Sequence, residues 1–482
     1  MKRTNKGAQP KHIGQPPAES VEKRTVAEGN PEQATASGTQ GPPAASSALD
    51  RVREAARRDA KQQFTNLLNH LKVDLLRQAC GALKHDAAAG VDEVTWKEYG
   101  ERLEERLLDL QDRIQGGRYR AKPSKRDWIP KPDGKQRPIG ITSLEDKIVQ
   151  KALVLVLQQI YEEDFLDFSY GFRPKRSQHN ALDALYVAIT QRKVSWVLDA
   201  DIRGFFDTLD HKWLMKFVEH RIADPRVLRL IRKFLRAGVS EDGQWSKTEV
   251  GTPQGAVISP LLANIYLHYV LDLWVHWWRR HHAKGEVYIV RYADDFVLGF
   301  QHRSDAQRFQ NELIQRLAKF GLELHPEKTR LIEFGRFAAA NRKKRGEGKP
   351  ETFDFLGFTH YCAKRRSNGS FTLRRKTIAK RQRSKLKEVR QKLGRRSHLP
   401  ISMQGRWLGS VIRGHVKYYA VPGNFDAVNA FCREVVKAWL KALRRRSQKG
   451  RSLTWPRFER WVEKWIPKVR IVHPYPNQRF CV

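Results

Sequence analysis

Sulfur is scarce in this 482-residue chain, which has four cysteines and three methionines. Cys80, Cys362, Cys432 and Cys481 are never paired at metal-ligand spacing, so no zinc site is expected and a reducing compartment suits them. Long apolar runs are missing too. No stretch of about 18 uninterrupted apolar residues occurs, and no transmembrane helix is expected. The opening Met-Lys-Arg-Thr-Asn-Lys reaches no apolar segment, so secretion is not expected either. Acidic residues are outnumbered: 52 Asp and Glu face 91 Lys and Arg, a net charge of +39. That imbalance predicts a polyanionic partner held through phosphates. It is concentrated in residues 341–482, where 37 Lys and Arg stand against 8 Asp and Glu. Charge alone does not separate an enzyme from a histone-like or ribosomal protein.

Against this basic background, two groups of acids stand out by position. Val287 to Phe300 reads as two runs of strand-forming residues around Ala293, Asp294 and Asp295, a β-hairpin with adjacent carboxylates at its tip. A solvated acidic turn is the ordinary reading of such a pair. In a buried hairpin the two charges repel and lose hydration, and Mg²⁺, which takes hard oxygen ligands, is the natural remedy. Upstream, the apolar run Trp196 to Leu198 leads into Asp199 and Asp201, which share one face of a strand. Carboxylates from two neighbouring strands suit two metal ions about 4 Å apart that serve in-line phosphoryl displacement.

Tyr292-Ala-Asp-Asp295 resembles the catalytic box of reverse transcriptases, and Asp201-Ile-Arg-Gly-Phe-Phe-Asp207 resembles their first aspartate motif. Four more boxes follow the same order: Ile129 to Gly140, Tyr170-Gly-Phe-Arg-Pro174, Gly251 to Ile265 and Phe353 to Phe358. From about Asp86 onward the chain is similar to bacterial group II intron reverse transcriptases and maturases. The resemblance implies an α+β right-hand polymerase with fingers and an antiparallel palm, followed by an all-helical thumb or maturase domain. It divides the chain into a disordered polar tail (1–50), an N-terminal extension and fingers (51–190), a palm (191–375) and a thumb (376–482).

Local patterns add detail. Residues 1–50 are rich in Ala, Gly, Pro, Gln, Ser and Thr and read as disordered. Phe64, Leu67, Leu68, Leu71, Leu75 and Leu76 recur at helical spacing. Tyr119 to Ile141 reads as two strands joined by a Pro-Lys-Pro-Asp-Gly-Lys turn, and Thr248 to Gly255 as the close of a second hairpin. A long helix is expected over Ser259 to Trp278, its apolar stripe including Leu273 and Trp277 and read as core. Arg336 to Pro350 reads as a flexible loop. Arg173 suits either a ligand contact or an ion pair with an acid such as Asp207 or Asp210. From Lys376 onward the periodicity is helical, with a thin apolar stripe and a heavily basic remainder.

By family position, Asp201 and Asp294 are the expected bridging ligands of two Mg²⁺ ions. Asp295 is a third ligand or an orienting group, and Ile202 lends its carbonyl. Lys135, Arg137, Gln254, Gly255 and Lys328 are expected at the nucleotide, with Lys328 near the leaving pyrophosphate. Phe206 is expected as a steric gate selecting dNTPs, and Phe205 as core. His325 reads as a capping or surface residue. Lys380, Arg381, Arg383, Lys385, Arg444, Arg445 and Arg446 are expected to grip phosphates. The implied partners are group II intron RNA, an RNA template with its DNA primer, dNTPs and target DNA, in a bacterial cytoplasm near the nucleoid and with no membrane. No clustered Cys and His ligands suggest the zinc endonuclease of some relatives. Two other functions remain in play, a splicing-only maturase and a reverse transcriptase of a defence or CRISPR-associated system. Intact Asp201, Asp294 and Asp295 speak against the first, and the tryptophan-rich basic tail against the second.

Overall fold

A computed structural model describes residues 43–130, 136–241, 244–246, 250–252 and 255–479. The N-terminal tail expected over residues 1–50 lies mostly outside the described residues, but Pro43–Arg58 is helical. Val52 and Ala56 are buried, and Arg53 pairs with Glu163, which docks this helix on the body. The spacing of Phe64 to Leu71 misleads. Phe64 bridges to Ile222, Leu68–His70 is a single 3₁₀ turn, and only Val73–Gly81 becomes an α-helix. Asp224 explains the break, because its carboxylate accepts from the Leu68 backbone N–H at 3.0 Å.

Strands β1 (Ser124–Pro130) and β2 (Gln136–Ile141) form the first hairpin, pairing from Lys125↔Ile141 to Pro130↔Gln136. Its turn, with Lys131 and Lys135, lies outside the described residues. Helix α1 (Leu144–Asp164) follows as a central pillar, burying Ile148, Val149, Leu153, Val156, Leu157 and Ile160. Helix α2 (Gln178–Gln191) starts from a capping box at Ser177. Arg173, just before it, is a structural residue: it pairs with Glu162, not with Asp207 or Asp210, and donates to the Leu166 and Ser169 carbonyls.

Next come β3 (Trp196–Asp201) and the hairpin β4 (Val239–Glu241) and β5 (Gln244–Ser246); of the expected hairpin close at Thr248 to Gly255, residues 248–249 and 253–254 lie outside the described residues. Strand β4 pairs in parallel with β1, giving the sheet order β2-β1-β4-β5. The long helix is divided into α3 (Ser259–Leu267), a π turn (His268–Asp272) and α4 (Leu273–His281). A π turn admits one extra residue and rotates everything after it. Leu273 and Trp277, expected in the core, are therefore exposed, while Val275 and Trp278 are buried.

Strands β6 (Val287–Tyr292) and β7 (Asp295–Phe300), helix α5 (Arg303–Ala318) and β8 (Arg330–Glu333) complete an antiparallel sheet of order β6-β7-β3-β8. Within the segment read as a flexible loop, Ala338–Lys344 is helical and is anchored by an Arg345–Glu333 ion pair. A second antiparallel sheet, order β11-β10-β9, comprises β9 (Phe353–Phe355), β10 (Phe358–Lys364) and β11 (Phe371–Thr377). The C-terminal helices are α6 (Ala379–Arg395), α7 (Ile401–Tyr419), α8 (Phe425–Arg444) and α9 (Trp455–Trp465). They enclose their own core of Val389, Leu393, Ile412, Phe431, Trp439 and Phe458.

Strand alternation explains why the β6-β7-β3-β8 sheet is buried on both faces. Leu198, Ala200, Ile289, Phe296 and Leu298 belong to the largest core, on the side of α3 and α5. Val197, Tyr288, Val290 and Val297 face α2 and the second sheet. Asp199, Asp201 and Asp295 share the parity of Val197 and Val297, so they emerge on that second face. No helix among the described residues is long and apolar enough to cross a membrane.

Candidate active site

Register brings the acids together. Asp201 and Asp295 are directly opposed partners on β3 and β7, and Asp294 occupies the two-residue turn between β6 and β7. Ala293, the first turn residue, has φ +59°, and it is the only turn residue with positive φ. This matches a type II′ turn, whose first position favours glycine. Holding alanine there costs about 1–2 kcal/mol, which the surroundings must offset.

Confinement perturbs the carboxylates. Burial raises Asp294 above the ordinary carboxylate range, and nearby Asp201 adds to the effect while Arg137 and Arg291 oppose it. Asp295 is raised well above that range by burial, then by Asp199, Asp201 and Asp294, with Arg381 opposing. Asp199 is pushed up to about 7 by burial, although Arg330 lies 3.8 Å away. Carboxylates crowded so that each disfavours its neighbour's charge need a cation. One is already present: the Lys328 ammonium lies 2.5 Å from Asp201. Among the described residues no three acids, histidines or cysteines are drawn together as a finished metal cage. The hard oxygen donors fit a divalent cation once Lys328 leaves Asp201.

The other expected site residues are placed as follows. The Asp201 carbonyl accepts from His325 N–H at 2.7 Å, and the His325 carbonyl from Thr329 N–H, so His325 opens the turn that carries Lys328. Ile202 is buried and bridges to Leu324. Phe206 is half-buried, edge-on to the fully packed Phe205 at 5.4 Å. Its carbonyl accepts from Thr252 N–H at 2.8 Å, which ties the two motif loops together. Arg137 is exposed at the start of β2. Gly255 has φ +117°, and a Cβ there would sit 2.6 Å from the Gly140 carbonyl oxygen, so side chains are excluded. Lys135 and Gln254 lie outside the described residues.

In the helical C-terminal region, Lys380, Arg381 and Arg383 are exposed along α6, and Lys385 pairs with Glu388. Arg381 stands apart, because it is close enough to Asp295 to favour its charge. Arg444 donates to the Leu453 carbonyl, and Arg446 to those of His398 and Leu399. Arg445 and Arg446 border an open groove of about 1010 Å³ between α6 and α8, with Arg390, Lys437 and Lys441.

Residues 129–360 match the family described as reverse transcriptase (RNA-dependent DNA polymerase). Over these residues, just under half of the chain, the protein is similar to that family. Among its relatives, protein YkfC of Escherichia coli is 37% identical over 43% of this chain and 62% of its own. The group II intron-encoded protein LtrA of Lactococcus lactis is 36% identical over 46% of this chain and 37% of its own. An uncharacterized 91 kDa protein in a Schizosaccharomyces pombe cob intron is 39% identical over 33% of this chain and 20% of its own. The chain thus spans less than two thirds of the length of these relatives. A telomerase structure from Candida albicans is a distant likeness, covering 77% of this chain and 62% of its own at 14% identity and TM-score 0.42.

Residues 129–360 also contain Asp272, which sequence reasoning passed over, while Arg291, Asn264 and Gly171 stood in the motif stretches without a role. Arg291, Asp272, Asn264 and Gly171 surround the back of the Ala293 turn. Asn264 and Asp272 leave one trace in the sequence: both are polar residues inside an otherwise apolar helical stretch.

Two consequences of the crowding are measurable in Mn²⁺ binding to the nucleotide-free protein. Because raised carboxylates must lose protons to bind a cation, affinity is expected to increase as pH rises from mildly acidic to mildly basic. Lys328→Ala removes the competing ammonium and is expected to tighten binding by up to about fivefold, the scale of an exposed ion pair. Weaker binding in Lys328→Ala would show that the lysine supports the cation site instead of occupying it.

Proposed function

We propose that this chain is the RNA-directed DNA polymerase of a group II intron, copying intron RNA into DNA and binding that RNA to assist its splicing. The supporting observation is the opposition of Asp201 to Asp295 across β3 and β7, with Asp294 in the turn beside them. Match to the reverse transcriptase family over residues 129–360 and kinship with LtrA support the same reading. The proposed divisions are N-terminal extension and fingers over 51–190, palm over 191–375 and thumb over 376–482. The proposed partners are intron RNA, an RNA template with a DNA primer, dNTPs and target DNA, in a bacterial cytoplasm near the nucleoid.

In this reaction a primer 3′-hydroxyl attacks the α-phosphate of a dNTP and pyrophosphate leaves. Two Mg²⁺ ions held by Asp201, Asp294, Asp295 and the Ile202 carbonyl would stabilise charge on the attacking and leaving oxygens. The chain's own work is positioning. Arg137 serves the triphosphate as a bidentate donor, and Lys135 is assigned to the same ligand by family position. Phe206 lies under the sugar and leaves no room for a 2′-hydroxyl, while Gln254 and Gly255 are assigned to nucleotide and template contact by family position. Lys328 exchanges Asp201 for the leaving pyrophosphate, to which it donates a proton. Lys380, Arg381, Arg383 and Lys385 grip the duplex, and the groove bordered by Arg445 and Arg446 receives structured RNA, which is recognised through shape and backbone.

Primer extension on an RNA template tests the first half. Asp294→Ala is expected to abolish extension while leaving RNA affinity nearly unchanged, because affinity comes from many phosphates held at once; retained synthesis would remove the assignment. In the same assay Phe206→Ala is expected to raise rNTP use relative to dNTP use, and an unchanged ratio would return Phe206 to the core. A salt titration of intron RNA binding tests the second half. Neutralising Arg444, Arg445 and Arg446 together is expected to reduce the slope of log affinity against log salt by up to about 3, one for each phosphate that is no longer neutralised. An unchanged slope would place the intron on another surface.

A further inference from the structure

Arg291 lies directly before the Tyr-Ala-Asp-Asp turn, but strand alternation turns it away from the carboxylates, onto the helical face of the sheet. Its side chain is fully buried. Nε donates to Asp272 Oδ1 at 2.7 Å, and Nη2 donates to the other oxygen of the same carboxylate. Nη2 also reaches Ser169 Oγ at 2.7 Å, while Nη1 donates to Asn264 Oδ1 at 3.0 Å and to the Ala293 carbonyl at 2.9 Å. Every nitrogen of the guanidinium is thus used, and one of its bonds falls on the residue held in the left-handed conformation.

The partners of Arg291 are fixed by other elements. Asp272 is fully buried at the end of the π turn. That turn makes α4 continue out of phase with α3, the same irregularity that exposes Leu273 and Trp277. Asn264 Nδ2 donates to the Gly171 carbonyl at 2.7 Å. Gly171 is so close that an added Cβ would lie 2.3 Å from the Ala293 nitrogen. Backbone bonds between Arg291 and both Phe168 and Tyr170 complete the frame. A hydrophobic pair would fill this space as well, and burying an isolated ion pair is often no more stabilising than that. What a hydrophobic pair cannot do is hold the Ala293 carbonyl at a fixed angle.

We propose that Arg291 and Asp272, with Asn264, are positioning residues for the reaction: they hold the Ala293 turn in the conformation that aims Asp294 and Asp295 at the metal site. The proposal rests on the polymerase reading above. Lysine cannot replace Arg291, because a single ammonium lacks the planar fork needed to serve Asp272, Ser169, Asn264 and Ala293 together.

The test uses the full chain and the double exchange Arg291→Met with Asp272→Leu, which removes both charges and keeps the space filled. It is expected to fold and to bind RNA like the parent, and to melt somewhat below it because the Ser169, Asn264 and Ala293 oxygens lose their donor. Its kcat for single-nucleotide addition is expected to fall about 100-fold, the scale of a displacement of about 1 Å at a reacting centre. The KM for dNTP is expected to stay within a few-fold, and the half-saturating Mg²⁺ concentration to rise. A folded double variant with parental kcat and Mg²⁺ dependence would overturn the proposal. Should the double exchange fail to fold, Asn264→Ala leaves the ion pair whole and is expected to raise the Mg²⁺ requirement and lower kcat in the same direction; unchanged values there would likewise overturn it. Failure of the polymerase reading looks different, because the parent protein would then add no nucleotide at all.

Discussion

Electrostatic repulsion among carboxylates that two strands force together is the constraint on which the rest of this structure depends. Asp201 and Asp295 are register partners, and Asp294 is one residue away in a turn too short to move aside. A slip of one residue in either strand would send one of these acids to the opposite face and dissolve the group. Much of the packing around this sheet can be understood as what prevents that slip. Strand β3 is held on both sides by β7 and β8, and both faces of the sheet are packed, by α3 and α5 on one side and α2 on the other. The crowding also explains why cations converge on this face. Lys328 pairs with Asp201 and Arg330 lies against Asp199, while Arg137 and Arg381 act on Asp294 and Asp295 from a greater distance.

The contrast between the two faces is instructive. Around the carboxylates the cations Arg137, Lys328, Arg330 and Arg381 are exposed. On the helical face Arg291 is fully buried and fully bonded. Removing one partner of such a buried pair costs about 3–5 kcal/mol. The buried, fully bonded arrangement lies behind the turn and the exposed one in front of it.

The acids were legible in the sequence because strand alternation and short turns are local. Two apolar runs around Ala293, Asp294 and Asp295 can hardly form anything but a hairpin, and the parity of Asp199 and Asp201 fixes their common face. The periodic helices after Lys376 were legible for the same reason. The π turn at His268–Asp272 was not, since nothing in an apolar stripe marks where one residue is skipped; Leu273 and Trp277 were therefore assigned to the wrong face. The partner of Arg173 was equally hidden, because choosing Glu162 over Asp207 depends on how α1 lies against the loop before α2. Ala338–Lys344 escaped notice because its composition is that of a loop, and its anchor, Arg345 on Glu333, reaches back to β8. In each case the deciding interaction is a packing relation that no window of sequence contains.

The central claim is that Asp201, Asp294 and Asp295 form a divalent-metal site for adding deoxynucleotides to a primer. Its most direct measurement is addition of a single dNTP to a DNA primer on a defined RNA template by the purified chain, followed as Mg²⁺ is titrated from none to saturation. The account predicts no product without the divalent ion, and a rate that rises to a plateau while only the nucleotide complementary to the template is joined. Product formed in the presence of excess chelator, or none at any Mg²⁺ concentration with primer-template bound, would contradict it.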